Sequence, residues 1–245
     1  GVSAYVALER RDLDAALRAA QRYLSEHTAP LFNIIALGTL AKVHALRGDL
    51  EAATASLSQA KALLARTPGV TPYHANHPRG AELVVLVAQM EQAAAEGDRR
   101  KLASLTRSAD RAGRLALRVS ARFAARRPEV HRLLGTAAWL AGRRSAALRS
   151  FERALAEAER LGQRPELARI HAEAGRRLEG APGMAVAGME SAELLARAAE
   201  LGSSGPETDA PIRATEGRAT AFPVDAAGRE CPPLRERGPY RRANR

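Results

Sequence analysis

The side chains of this sequence that could carry chemistry are few and scattered. Six histidines, one cysteine and one tryptophan stand in 245 residues. His74 and His77 form an H-x-x-H pair inside "TPGVTPYHANHPRG" (67–80), the spacing at which two imidazoles can share a metal. A tetrahedral site needs two further ligands, and this segment holds no thiol or carboxylate to supply them. The pair therefore reads as exposed loop histidines. His44, His131 and His171 fall on helical stretches with no partner indicated by spacing. Cys231 lies in a Pro- and Arg-rich tail and has no second cysteine to pair with. No phosphate-binding glycine loop, no G-x-S-x-G elbow and no kinase signature set occurs. The expectation is a non-enzyme, without catalytic residues, cofactor or metal.

What the chain does have is arginine. Lys and Arg together number 38 against 27 acidic residues, a formal net charge of +11. Such a charge favours acidic partners and nucleic acids, although the basic residues are spread over nearly the whole sequence. Arg107, Arg111, Arg114, Arg118 and Arg122 recur at spacings that put them on one helical face, provided the helix runs through Gly113. With Arg126 and Arg127 they can grip phosphates or an acidic surface. The alternative is the solvated face of an arginine-rich protein, and no interleaved aromatics favour base stacking.

The elements that must position these residues follow from the hydrophobic period. In "LLGTAAWLAGRRSAALRSFERALAEAERLG" (133–162), Leu134, Ala138 and Leu140 mark one apolar stripe. After the Gly142 turn, Ala147, Leu148, Phe151, Ala154, Leu155 and Ala158 mark a second. Helix, turn and helix recur around Gly48 and Gly97. At the start of the sequence "RDLDAAL" aligns on "GDLEAAT", with Arg11 at the turn. A fifth pair is read from "PELARIHAEAGRRL" and "MESAELLARAAELG", separated by a loop containing "EGAPGMAVAG". The three prolines of 67–80 are expected to interrupt the helices.

Self-similarity at this irregular period indicates a helical solenoid. The best unit resembles a tetratricopeptide repeat through Leu134, Gly135, Gly142, Ala147, Phe151, Ala154 and Leu155. The unit around Gly48 follows with Leu40, Ala41, Ala53, Leu57 and Ala60. The two aromatics of the motif's first helix are replaced by His131 and Ala138. The stretch 131–202 also resembles the C-terminal repeat region of large bacterial signalling ATPases with protein-kinase or adenylyl-cyclase front ends. The Trp-Leu-x-Gly-Arg turn at 139–143, Glu-Arg-Leu-Gly at 159–162 and Glu-Leu-Ala-Arg at 166–169 carry that likeness.

The repeat resemblance implies a fold and a site. The fold is all-α, a solenoid of about five antiparallel helix pairs over 1–202 with the first pair shortened. A disordered basic tail over 203–245 follows, rich in Pro, Gly and Arg without apolar period. First helices line the concave face of such an array, which places Lys42, Arg132, Thr136 and Trp139 in a groove for a protein or peptide partner. Trp139 has two readings, a partner-contacting aromatic or packing between helices. The family resemblance further implies a regulatory region belonging to a larger bacterial signalling protein. Its other domains would then be partners, and a cytoplasmic location is expected. Nucleic acid is the alternative partner. No apolar run approaches the ~20 residues of a bilayer span, so no membrane insertion is expected.

Overall fold

A computed structural model describes residues 2–26 and 29–203. The tail expected to be disordered, and Cys231 within it, lies outside the described residues apart from Ser203. The described chain is all-helical. Its helices are α1 (Val2–Glu9), α2 (Leu13–Glu26), α3 (Pro30–Leu46), α4 (Leu50–Arg66), α5 (Pro72–Ala95), α6 (Arg99–Val119), α7 (Arg127–Leu140), α8 (Arg144–Arg160), α9 (Arg164–Leu178) and α10 (Ser191–Ser203). Two short 3-10 turns, Ser120–Arg122 and Ala124–Arg126, connect α6 to α7.

One turn design is used five times. At Gly48 the chain enters the left-handed region (φ 81°), and the following Asp49 N–H reaches back to the His44 carbonyl at 2.9 Å. This is the bond pattern that closes a helix on a left-handed residue. Asp49 then accepts from the Ala52 N–H at 3.0 Å and so caps the next helix. Gly97–Asp98 repeats every part, with Asp98 capping Lys101 at 2.9 Å. Arg11–Asp12 repeats it with arginine at the left-handed position (φ 61°) and Asp12 capping Ala15. Gly142–Arg143 and Gly162–Gln163 keep the glycine without the aspartate cap. In place of capping, Arg143 forms two hydrogen bonds to Asp110 on α6, at 2.9 and 3.0 Å.

Backbone packing runs from neighbour to neighbour. Odd-numbered helices touch in series, α1 on α3, α3 on α5, α5 on α7 and α7 on α9. Each even-numbered helix from α2 to α8 packs on the odd-numbered helices on either side of it. Small residues make the approach close. Ala41, Ala81, Ala109, Ala137, Ala147 and Ala154 are fully buried. A Cβ on Gly135 would stand 2.7 Å from the Phe151 ring, and one on Gly113 would stand 2.4 Å from Leu134. Gly113 therefore does not interrupt α6. It is buried against α7, and the helix runs through it.

The 67–80 segment departs from expectation. Only 67–71 is a connection, and α5 starts at Pro72. Proline suits the first helical position, where its missing N–H would go unused. Pro78 lies inside the helix and is fully buried. A Cβ on Gly38 of α3 would stand 3.1 Å from the His77 carbonyl carbon and the Pro78 nitrogen, so the two helices meet closely at this point. Burial against α3 outweighs the local cost of the proline. His74 and His77 are consequently half-buried helix residues rather than exposed loop residues.

Candidate functional site

The turn after α1 and residues of the odd-numbered helices line a cleft of three neighbouring compartments that share lining residues. The first, of about 50 Å³, is lined by Glu9, Arg11, Lys42, Glu129, Arg132 and Arg169 over an apolar floor of Leu8, Leu46, Val84 and Leu133. The second, of about 210 Å³, shares Glu9 and Glu129 with it and adds Tyr5, Arg126, Gln163 and Glu166. The third, of about 10 Å³, lies between Tyr5, Gly38, Thr39, Lys42, His77 and Arg126.

Helical spacing builds the walls. On α7, Glu129, Arg132 and Thr136 sit at intervals of three and four. On α9, Glu166, Arg169, Glu173 and Arg177 follow the same rule. The two faces meet in register. Arg132 Nε donates to Glu166 at 2.7 Å, and Thr136 donates its hydroxyl hydrogen to Glu173 at 2.8 Å. Lys42 on α3 reaches both carboxylate oxygens of Glu129, at 2.6 and 2.8 Å. Glu9 joins α1 to α9 through Arg169 at 2.6 Å, and Arg169 also donates to the Glu9 carbonyl. Arg126 stands 3.5 Å from Glu129 and lies over the Tyr5 ring at 4.7 Å. Arg177 extends the series to Glu91 on α5.

Burial sets the electrostatics. Burial alone would raise the Glu129 carboxyl, but Lys42 and then Arg126 outweigh it and hold the group far below the ordinary carboxylate range. Burial would also raise Glu173; Arg177 and the hydrogen bonds from Arg176, Thr136 and Arg177 bring it down to about 2. Loss of solvent lowers Lys42, partly offset by Glu129. It is also the main cause that pushes His77 down to about 3, assisted by the charges of Arg126 and Lys42. The Tyr5 hydroxyl is pushed up to about 12, first by burial. In the two larger compartments Arg11, Lys42, Arg126, Arg132 and Arg169 face only Glu9, Glu129 and Glu166, an excess of two positive charges.

The structure gathers three of the four residues expected to line a groove. Lys42, Arg132 and Thr136 belong to this one network, each already engaged by a carboxylate. Trp139 takes no part in the ion pairs. It packs half-buried beside the apolar cluster of α7–α10, with the Arg144 guanidinium 3.7 Å over its ring. Sequence reasoning did not single out Glu9, Glu129, Glu166 and Arg169 as site residues. Their signal is the shared E-x-x-R spacing of 129–132 and 166–169, legible only once the two helices are known to be neighbours.

The expected arginine stripe is elsewhere. Arg107, Arg111, Arg114 and Arg118 lie on α6 and Arg122 on the following turn, all exposed and with no ion pair among the described residues. His74 and His77 engage rings: His77 meets Tyr5 and Tyr73 edge-on, and His74 meets Phe32 and Tyr73. Among the described residues no group of three or more His, Cys, Asp or Glu is placed to hold a metal ion. No described helix is long and apolar enough to cross a membrane.

No family model, no curated protein and no solved structure matches the chain.

Proposed function

We propose that this chain is a non-catalytic binding scaffold: a tetratricopeptide-like solenoid whose inner cleft receives an acidic segment of a protein partner. The observation that carries the reading is the cleft's excess of positive charge over an apolar floor, on faces contributed by successive helix pairs. The serial packing of the odd-numbered helices and the five equivalent turns support a repeat array. Arg132 supplies polar contacts to the partner from the cleft wall; Lys42, held by Glu129, and the buried Thr136, held by Glu173, position that wall, and Trp139 borders the same face of α7. The sequence likeness to repeat regions of signalling ATPases supports a regulatory role inside a larger cytoplasmic bacterial protein.

Selection of displayed peptides on the whole chain tests this reading. Peptides rich in Asp and Glu should be enriched, and raising salt should weaken them by screening the exposed part of the contact. Enrichment of neutral or basic peptides, or of none, contradicts it.

One observation favours a second reading. Four exposed arginines, without ion pairs among the described residues, follow one face of α6, with Arg122 on the turn beyond it, and Arg107 to Arg118 spans roughly 16 Å at the helical rise. That row fits the phosphates of a nucleic acid. On this reading duplex DNA binds at about 150 mM salt and is lost in Arg111→Glu/Arg118→Glu; binding that vanishes for every sequence at moderate salt contradicts it.

A further inference from the structure

Arg11 is out of place in two ways. It stands where the other four equivalent turns carry Gly48, Gly97, Gly142 and Gly162, yet it is held in the same left-handed conformation, at φ 61°. An L-side chain is disfavoured there relative to glycine, because its Cβ crowds the backbone. Its guanidinium lines the mouth of the 50 Å³ compartment, and no carboxylate pairs with it among the described residues. Loss of solvent is the first influence against its charge, and the repulsion of Arg169 and Arg132 follows, ahead of the attraction of Glu166 and Glu129. The left-handed backbone and the neighbouring guanidinium groups both act against this placement.

The neighbouring donors are also underused. Arg132 bonds Glu166 through Nε alone, and its two Nη groups have no acceptor among the described residues. The other carboxylates at the compartment are spoken for: Lys42 holds both oxygens of Glu129, and Arg169 holds Glu9. A volume of about 50 Å³ admits one small polar headgroup and no more. A planar guanidinium presents paired donors that match an oxyanion bidentately.

We propose that Arg11 and the free Nη groups of Arg132 form an oxyanion subsite at the mouth of the inner cleft, filled by a carboxylate or a phosphate group. This deepens the inner-cleft reading, since the oxyanion would be the acidic group of the segment bound there. A bound oxyanion offsets the repulsion of Arg11 with Arg169 and Arg132.

The test is the thermal midpoint of the whole chain in millimolar inorganic phosphate, and separately in millimolar glutarate, each against sodium chloride at equal ionic strength. At least one of the two should raise the midpoint beyond chloride. The more effective anion identifies the source of the oxyanion. In Arg11→Gly the apparent affinity for that anion should fall at least about tenfold, the loss of one charge-assisted contact. The same variant, free of strain and repulsion, should unfold at a higher temperature than the parent when no anion is added. Responses no larger than that to chloride, or equal in parent and variant, would overturn the subsite. An anion-free Arg11→Gly less stable than the parent would overturn it too. Because the probes are small anions, failure here leaves the peptide selection standing, and failure of that selection leaves this test standing.

Discussion

At Lys42 and Glu129 the protein seats opposite charges with side chains only 9% and 18% exposed, and Arg126 adds a second cation to the same carboxylate. Removing one member strands the other. Lys42→Met should lower stability by about 3 kcal/mol, and Lys42→Met/Glu129→Gln should recover a good part of that, as chemical denaturation of the four proteins of the cycle would show. His77 makes a pH prediction. Its ring is pushed from 6.5 to about 3, so the folded state prefers it neutral. The resulting stability is complete above pH 6.5 and is lost as pH falls towards 3. Glu173, lowered from 4.5 to about 2, prefers to be charged, and its contribution is lost as pH falls through that lower window. Midpoints measured from pH 7 to 4 should therefore decline, and His77→Phe should flatten the upper part of that decline; an unchanged slope would contradict the assignment. Trp139, half-buried under Arg144, should behave as a packing residue, with Trp139→Ala costing roughly 2–3 kcal/mol in denaturant titration. The arginine and lysine types of the site were visible in the sequence. Their carboxylate partners were not, because Lys42 and Glu129 lie 87 positions apart and Glu9 and Arg169 lie 160 apart.

Helix pairs were the most legible level. The left-handed residue and the helix cap behind it are local, so Arg11, Gly48, Gly97 and Gly142 mark their turns without tertiary information. The cap is worth testing alone: Asp49→Ala should cost about 1 kcal/mol in thermal unfolding, with little change in the equivalent Arg143→Ala beyond its Asp110 contact. Close helix approach is the other device. Gly135→Ala pushes a methyl into the Phe151 ring and should cost roughly 1–3 kcal/mol, since the neighbour is a fully buried aromatic that cannot swing away. The 67–80 segment was misread for a reason of the same scale. Proline is a strong local helix breaker, but whether Pro78 ends a helix depends on Gly38 of another one, and no local pattern reports that contact.

For the whole molecule, the first and last pairs meet. Arg169 of α9 holds the end of α1 through both the side chain and the carbonyl of Glu9, so an eight-residue helix too short to persist alone is tied to the far wall of the cleft. Glu9→Gln should loosen α1 selectively, raising amide exchange over 3–9 while α7 and α8 keep their protection. A sequence read as repeats predicts neighbour contacts and has no term for this closure, which is why Glu9 went unnoticed and Arg11 was read as a turn residue alone. Among the described residues positive charge gathers in two places, the cleft, where most cations are paired, and the row on α6, where none is. The proposed binding face is the cleft. An amide chemical-shift map of the whole chain, titrated with an Asp- and Glu-rich peptide, tests that most directly. Perturbations gathered around Arg11, Lys42, Arg132, Thr136 and Arg169 are predicted. Perturbations gathered along Arg107–Arg118, or spread without focus, would contradict it.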